Sequence, residues 1–458
     1  MIHSFEYNGQ YYVVDGGSGS IHVCDELAWQ VLNRLPGPVS TLSEADREAL
    51  IQEFADAEVE GILADFLVLE EQGMLWHPGY REIAQQYVSQ PTYVKALCLN
   101  VSHDCNLRCQ YCFAGKGSFG GERMNMSQEV AHKAVDFLLE ASGPKTAVEI
   151  DFFGGEPLLN MDVVRSTVEY GRAQAAKLGK DISFTITTNG VLLTDEIINY
   201  LDREMYNVVL SLDGRREVND EMRQTVNGRG SAYDLVLQPM LEMAKRRGDK
   251  QYYVRGTYTH YNTDFAQDVI HLAQLGFGRI SVEPVVTDPE DDYALKPEDV
   301  PVLEQQYELL TEAYLQAHRE GRPFDFFHFN LNLDASPCLA KRVAACGAGH
   351  EYLAVTPQGD IYPCHQFVGR DEYRLGHVSQ GIVRSELVRQ FKATNVFTKE
   401  ECESCWAQLF CSGGCHANNE KLAGNISTPD EIGCRLMRKR LECAIVVQAE
   451  LASSTTEG

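Results

Sequence analysis

Three cysteines, Cys105, Cys109 and Cys112, share the run HDCNLRCQYC. Their Cx3Cx2C spacing lets one short loop wrap three thiolates around three corners of a cubane iron–sulfur cluster, with the fourth iron left open. An open iron can take the amine and carboxylate of an amino acid and pass it an electron. The same thiols with His103 would also make a tetrahedral zinc knuckle, although zinc ligands usually arrive as two pairs. Tyr111, between the second and third cysteines, places a ring beside this site, as a cofactor contact or as plain packing.

A second group lies towards the C-terminus. It reads Cys346, twelve residues, Gly359, four residues, Cys364, and then Cys402, Cys405, Cys411 and Cys415 at spacings of two, five and three, with Cys434 eighteen residues further on. Pairs of this kind suit iron–sulfur clusters and zinc ribbons alike. Cys338 stands eight positions before Cys346. Cys24, Cys98 and Cys443 sit in apolar or helical settings and read as buried structural thiols. His365 and His416, beside cluster cysteines, read as supporting groups rather than ligands.

Such loops need a scaffold. From Lys95 onward, short apolar runs at 96–101, 148–153, 182–187, 207–212, 252–259 and 279–284 alternate with amphipathic stretches. Six strand–helix alternations predict an α/β fold with parallel strands and right-handed crossovers, a barrel or part-barrel. Chemistry in such folds sits beyond the C-terminal ends of the strands. The cysteine triplet follows the first run there, Gly154, Gly155, Glu156 and Pro157 the second, Thr188 and Asn189 the third, and Ser211 with Asp213 the fourth. Residues 1–86 read as a separate small α+β unit, 87–330 as the barrel, 331–450 as a loop-rich, cysteine-dense domain and 451–458 as a disordered tail.

The chain has 458 residues, 66 acidic against 40 basic, for a formal net charge of −26. That field repels phosphate polyanions and argues against a nucleic-acid partner. The N-terminus carries no signal-peptide pattern and no apolar run reaches membrane-spanning length, so a cytoplasmic protein without a membrane partner is expected. Fourteen cysteines in such a chain point to metal binding rather than disulfides.

Cx3CxΦC, with Φ aromatic, followed by GGEP resembles the radical S-adenosylmethionine (SAM) superfamily. The resemblance implies that the first cluster reduces S-adenosylmethionine to release a 5′-deoxyadenosyl radical that abstracts hydrogen. It also implies that Gly154–Pro157 bind the methionine amine, that Thr188 and Asn189 contact the ribose, and that Arg223 holds the methionine carboxylate. Glu156 can itself pair with an ammonium, and a planar two-pronged donor such as Arg223 suits a carboxylate. The seven C-terminal cysteines resemble the SPASM extension of peptide-modifying members. By that resemblance Cys402, Cys405, Cys411 and Cys434 hold one auxiliary [4Fe–4S] cluster and Cys346, Cys364 and Cys415 another, with Cys338 as a possible fourth ligand, making three clusters with the SAM-binding one.

The segment from Ser336 to Gly369, with the N-terminal unit, resembles the maturases of "six cysteines in forty-five" peptides. That likeness implies a winged-helix-like leader-recognition domain ahead of a partial (β/α)6 barrel and a SPASM domain. It also implies a Cys-rich precursor peptide with a leader, a flavodoxin- or ferredoxin-type reductant, and a thioether from a peptide cysteine to a carbon, often of threonine. The exposed edge of the YYVV strand is expected to take the leader as an added strand. Two alternatives stay open: an anaerobic sulfatase-type maturase, which shares the cluster layout but need not carry the N-terminal unit, and a non-catalytic iron–sulfur carrier or sensor, against which the SAM rim argues.

Overall fold

The computed structural model of the protein describes residues 1–54, 58–331 and 339–456. Strands β1 (Ile2–Tyr7), β2 (Gln10–Asp15) and β3 (Ser20–Cys24) form an antiparallel sheet in the order β1-β2-β3, followed by helices Glu26–Arg34, Glu44–Phe54 and Val59–Glu71. Asp25 caps the first helix by accepting from Ala28 N. The expected YYVV edge is not an edge: β2 is the central strand, paired on both sides. Val13 packs with Val31, Leu32 and Leu63 on one face, while Tyr12 and Val14 pack with Trp406, Leu441 and Ile445 on the other. A strand buried on both faces reads as an unbroken apolar run, and that is why these residues are consecutive.

The barrel strands are β4 (Ala96–Ser102), β6 (Ala147–Gly154), β7 (Asp181–Thr188), β8 (Asn207–Ser211), β10 (Gln251–Tyr258) and β11 (Arg279–Pro284), all parallel. They match the six apolar runs. Between β4 and β6 lies the short β5 (Leu107–Cys109), which pairs antiparallel with β9 (Arg223–Thr225). Ser127, Thr194 and Ser231 cap three of the crossover helices by accepting amide hydrogens from their first turns. Along β6 the burial alternates: Val148, Ile150 and Phe152 face the helices in the main core, while Glu149, Asp151 and Phe153 face the barrel interior.

The cysteine-dense segment is not a separate body hung on the barrel. Its β13 (Tyr352–Val355) pairs parallel with β4, and β14 (Asp360–Tyr362), β15 (Gly376–His377) and β16 (Gly381–Ile382) extend the sheet further; at the other edge β12 (Asp325–Phe326) follows β11. The final helix spans Glu431–Thr456 and packs on helix Val300–Arg319. It takes in most of the segment expected to be a disordered tail. Leu451 continues the buried stripe of Cys443, Ala444 and Val447, so helix packing carries the Ser/Thr end along. No described helix is long and apolar enough to cross a membrane.

Candidate iron–sulfur and S-adenosylmethionine site

Cys105, Cys109 and Cys112 lie in one loop directly after β4. Cys109 is opposite Arg223 in the β5–β9 pair, which clips the middle of this loop to the segment carrying Arg223. Burial pushes the Cys105 thiol up to about 11 and the Cys109 thiol up to about 12, and the neighbouring thiols add to both. Thiols gathered in this way form a donor set suited to a bound cationic centre, whose charge would favour the thiolates of Cys105 and Cys109. His103, considered as a zinc ligand, stacks on Phe119 at 4.6 Å, and its buried Nε2 has no partner. Among the described residues no three His, Cys, Asp or Glu side chains are gathered closely enough to hold a single metal ion.

The GGEP segment lies under this loop. A Cβ on Gly154, whose φ is +128°, would come within 2.3 Å of Ser102 O, and one on Gly155 within 2.1 Å of Asp104 O. Glycine is therefore required by the approach of the cysteine loop itself. Gly155 N donates to Ser102 O at 2.8 Å and Glu156 N to Asp104 O at 2.9 Å. Pro157 opens a 3-10 turn, Pro157–Asn160.

Glu156 has another task than the ammonium contact expected of it. Its carboxylate is buried and accepts from Leu158 N at 3.1 Å, Thr188 Oγ1 at 2.7 Å and Asn189 N at 2.8 Å. Burial raises it to about 7, against those three donors. The Thr188 hydroxyl is committed to Glu156 and also accepts from Gly190 N at 3.1 Å, so it ties strand ends together instead of facing a ribose. Asn189 reaches the cysteine loop: its Nδ2 donates to Asn106 Oδ1 at 2.8 Å and to Cys105 Sγ at 3.6 Å. Asn106 was missed in the sequence reading. Its buried Nδ2 has no partner, leaving a donor free beside Cys105; an amide inside the Cx3C loop was the available signal.

Asp213 is the hub of the opposite wall. With no exposed surface, it accepts from Tyr111 Oη at 2.5 Å through one oxygen, and through the other from Arg223 Nη2 at 3.0 Å and Thr257 N at 2.9 Å. Arg223 also lies over the Tyr111 ring, 5.6 Å from its centroid, and its buried Nε has no partner. Asp213 thus aims Arg223 rather than meeting a ligand itself, and the unpaired Nε fits Arg223 to a ligand carboxylate. Ser211 is half-buried and in register with Arg255 across β8 and β10.

The C-terminal cysteines fall into two sets. The charges of Cys405, Cys411 and Cys434 act on Cys402, and those of Cys346 and Cys415 on Cys364. Burial is the main cause in each case, pushing Cys402 up to about 12, Cys434 up to about 11 and Cys364 well up. Cys338 lies outside the described residues. All described cysteines are free thiols. Cys98 and Cys443 are buried and Cys24 half-buried. His416 bonds Thr394 O at 2.9 Å, and His365 packs between Phe113 and Phe153. The residues present fit iron–sulfur clusters and S-adenosylmethionine: grouped thiols, and unpaired buried donors on Asn106 and Arg223.

Comparison with known proteins agrees. Residues 99–248 match the radical SAM superfamily and residues 346–406 match an iron–sulfur cluster-binding domain, SPASM. The chain is 24% identical over 367 residues to a cysteine-type anaerobic sulfatase-maturating enzyme of Clostridium novyi, covering 74% of this chain and 92% of that one. It is 23% identical over 417 residues to the radical SAM cyclopropyl synthase TigE of Paramaledivibacter caminithermalis, covering 84% and 82%. The fold is also that of Streptococcus suis SuiB bound to the precursor peptide SuiA, with a TM-score of 0.55 and 16% identity over 94% of this chain and 98% of that one. The protein is built of a radical SAM domain followed by a SPASM iron–sulfur cluster-binding domain.

Proposed function

We propose that this protein is a peptide maturase that joins a cysteine sulfur of a Cys-rich, ribosomally made precursor to a carbon of another residue of the same peptide, often threonine. The observation that carries the reading is the N-terminal three-stranded unit, seated on the loop of Cys405 and the last helix through Tyr12, Val14 and Trp406. The fold match to peptide-bound SuiB, at a TM-score of 0.55, extends over 94% of the chain, whereas that to anSMEcpe with bound AdoMet, at a TM-score of 0.64, covers 79%. In this reading the unit holds the leader. Because β1 lies over the last helix, through His3 to Glu442 at 2.9 Å, the edge open to the leader is β3, with Val23 exposed.

When bound, the first cluster with S-adenosylmethionine supplies a hydrogen-atom abstractor, and the auxiliary clusters supply an electron sink. The chain's own residues do the positioning. Arg223, held by Asp213, takes the methionine carboxylate; Asn106 and Asn189 present amides beside Cys105; Glu156 locks the ends of β6 and β7 together. Cys105, Cys109 and Cys112 hold the first cluster and the two C-terminal sets the auxiliary ones. A flavodoxin- or ferredoxin-type protein supplies electrons.

The test is anaerobic incubation of reconstituted protein with reductant, S-adenosylmethionine and a Cys-rich precursor peptide that carries a leader. The expected product has lost two hydrogens and keeps that mass after thiol reduction. A peptide aldehyde at cysteine or serine would establish the sulfatase-type alternative instead, and an unaltered peptide would refute the maturase reading.

A further inference from the structure

Arg255 projects from β10 into the barrel interior. Its neighbours Val254 and Gly256 are buried on the outer face, while Arg255 is exposed and in register with Ser211 on β8 and Ser281 on β11. Other arginines of the barrel and its surroundings are engaged: Arg223 with Asp213, Arg440 with Glu283, and Arg247 with the carbonyls of Met205, Tyr206 and Gln251. Among the described residues the Arg255 guanidinium has no hydrogen bond, ion pair or ring contact, though its charge is felt at Glu283 and at His365. Across the interior stands an aromatic wall of Phe113, directly after Cys112, with Phe153 and His365, directly after Cys364. Their ring centroids lie 6.2, 5.3 and 4.9 Å apart, and Phe113 is 47% exposed. A solvent-exposed five-donor group with no protein partner among the described residues thus faces an aromatic wall that joins the loop of Cys112 to the loop of Cys364.

A guanidinium has donors only, so its complement is an oxygen acceptor, and the wall's complement is an uncharged side chain. We propose that Arg255 anchors the segment of the substrate peptide that is modified, taking a main-chain carbonyl or side-chain carboxylate oxygen while the residue to be joined lies against Phe113 and Phe153. The inference rests on the peptide-maturase reading and names the residue that sets which stretch of peptide reaches the chemistry.

The probe is the same Cys-rich precursor, with and without the Asp and Glu residues of the chosen core changed to Asn and Gln. In reconstituted holoenzyme, phenylglyoxal should label Arg255, and the precursor should lower that labelling at least fivefold. Arg255→Gln should raise the 5′-deoxyadenosine released per crosslink at least tenfold, with Arg255→Lys between it and wild type. Melting temperature and iron content are measured on the same samples, so that a folding defect in the Gln variant shifts the decision to the labelling and the Lys variant. Loss of protection with the Asn/Gln precursor assigns a carboxylate, and retained protection a carbonyl. Undiminished labelling beside a precursor that wild type crosslinks, or a Gln variant with wild-type coupling, overturns the assignment of Arg255 alone. A wild-type enzyme that crosslinks nothing overturns the maturase reading, and this inference with it.

Discussion

Asp213 holds Arg223 at 3.0 Å, and Arg223 in turn lies opposite Cys109 in a two-stranded ladder. The end of the fourth barrel strand is thereby connected to the first cysteine loop through one ion pair. Removing the carboxylate in Asp213→Ala leaves a largely buried guanidinium without its counter-charge, which costs about 3–5 kcal/mol. S-adenosylmethionine affinity is expected to fall at least tenfold, with Asp213→Asn intermediate. Anaerobic calorimetry and thermal melting check both effects; unchanged affinity would remove Arg223 from the ligand site.

Asp151 predicts a pH dependence. Burial, with Glu149 beside it, pushes this carboxyl from 3.8 up to about 7, while the Thr185 hydroxyl donates to Glu149 at 2.8 Å. Between those values the folded chain holds a proton that the unfolded chain has released. Unfolding then releases a proton, so the stability contribution is full below about pH 4 and is lost as the pH rises through 7. Asp151→Asn should flatten this slope and stabilise the protein by at least about 1 kcal/mol at pH 8, read from melting curves at pH 5 and 8.

The six barrel strands were legible because each is a short apolar run closed by a turn and followed by an amphipathic helix. The roles at their ends were less so. Glu156, Thr188 and Asp213 stand where cofactor contacts were expected, yet Glu156 is taken up by Thr188 and Asn189, and Asp213 by Tyr111 and Thr257, partners that only folding brings near. The β5–β9 pair is equally hidden, since Cys109 and Arg223 meet only in three dimensions. For YYVV the signal was present and misread: four consecutive apolar residues describe a strand covered on both faces rather than an open edge.

Two separate auxiliary sets predict separable iron losses. Cys411→Ala and Cys364→Ala should each lower iron by about four atoms per chain, and the double variant by about eight. Iron and zinc analysis of anaerobically purified variants decides it. Zinc in place of iron, or a single variant that empties both sets, would contradict the grouping.

The N-terminal unit cannot be removed cleanly. Gly16 lies against Trp406 so closely that an added Cβ would sit 2.6 Å from its Cα and carbonyl oxygen, and Gln408 bonds Gly16 O at 3.4 Å. Gly16→Ala should destabilise the protein by about 1–3 kcal/mol, and deletion of residues 1–86 should lower the melting temperature as well as leader affinity. Val23→Pro, at the open β3 edge, should weaken leader binding with a smaller change in melting. Equal leader affinity in Val23→Pro would exclude that edge.

The central claim is that the barrel directs radical chemistry onto a carbon of a bound peptide. The most direct measurement follows hydrogen from a precursor deuterated on its threonine side chains into 5′-deoxyadenosine during a single turnover. The account predicts one deuterium in each 5′-deoxyadenosine formed with a crosslink. Crosslinked peptide accompanied only by unlabelled 5′-deoxyadenosine would move the abstraction off threonine, and label-free turnover without any crosslink would contradict the account.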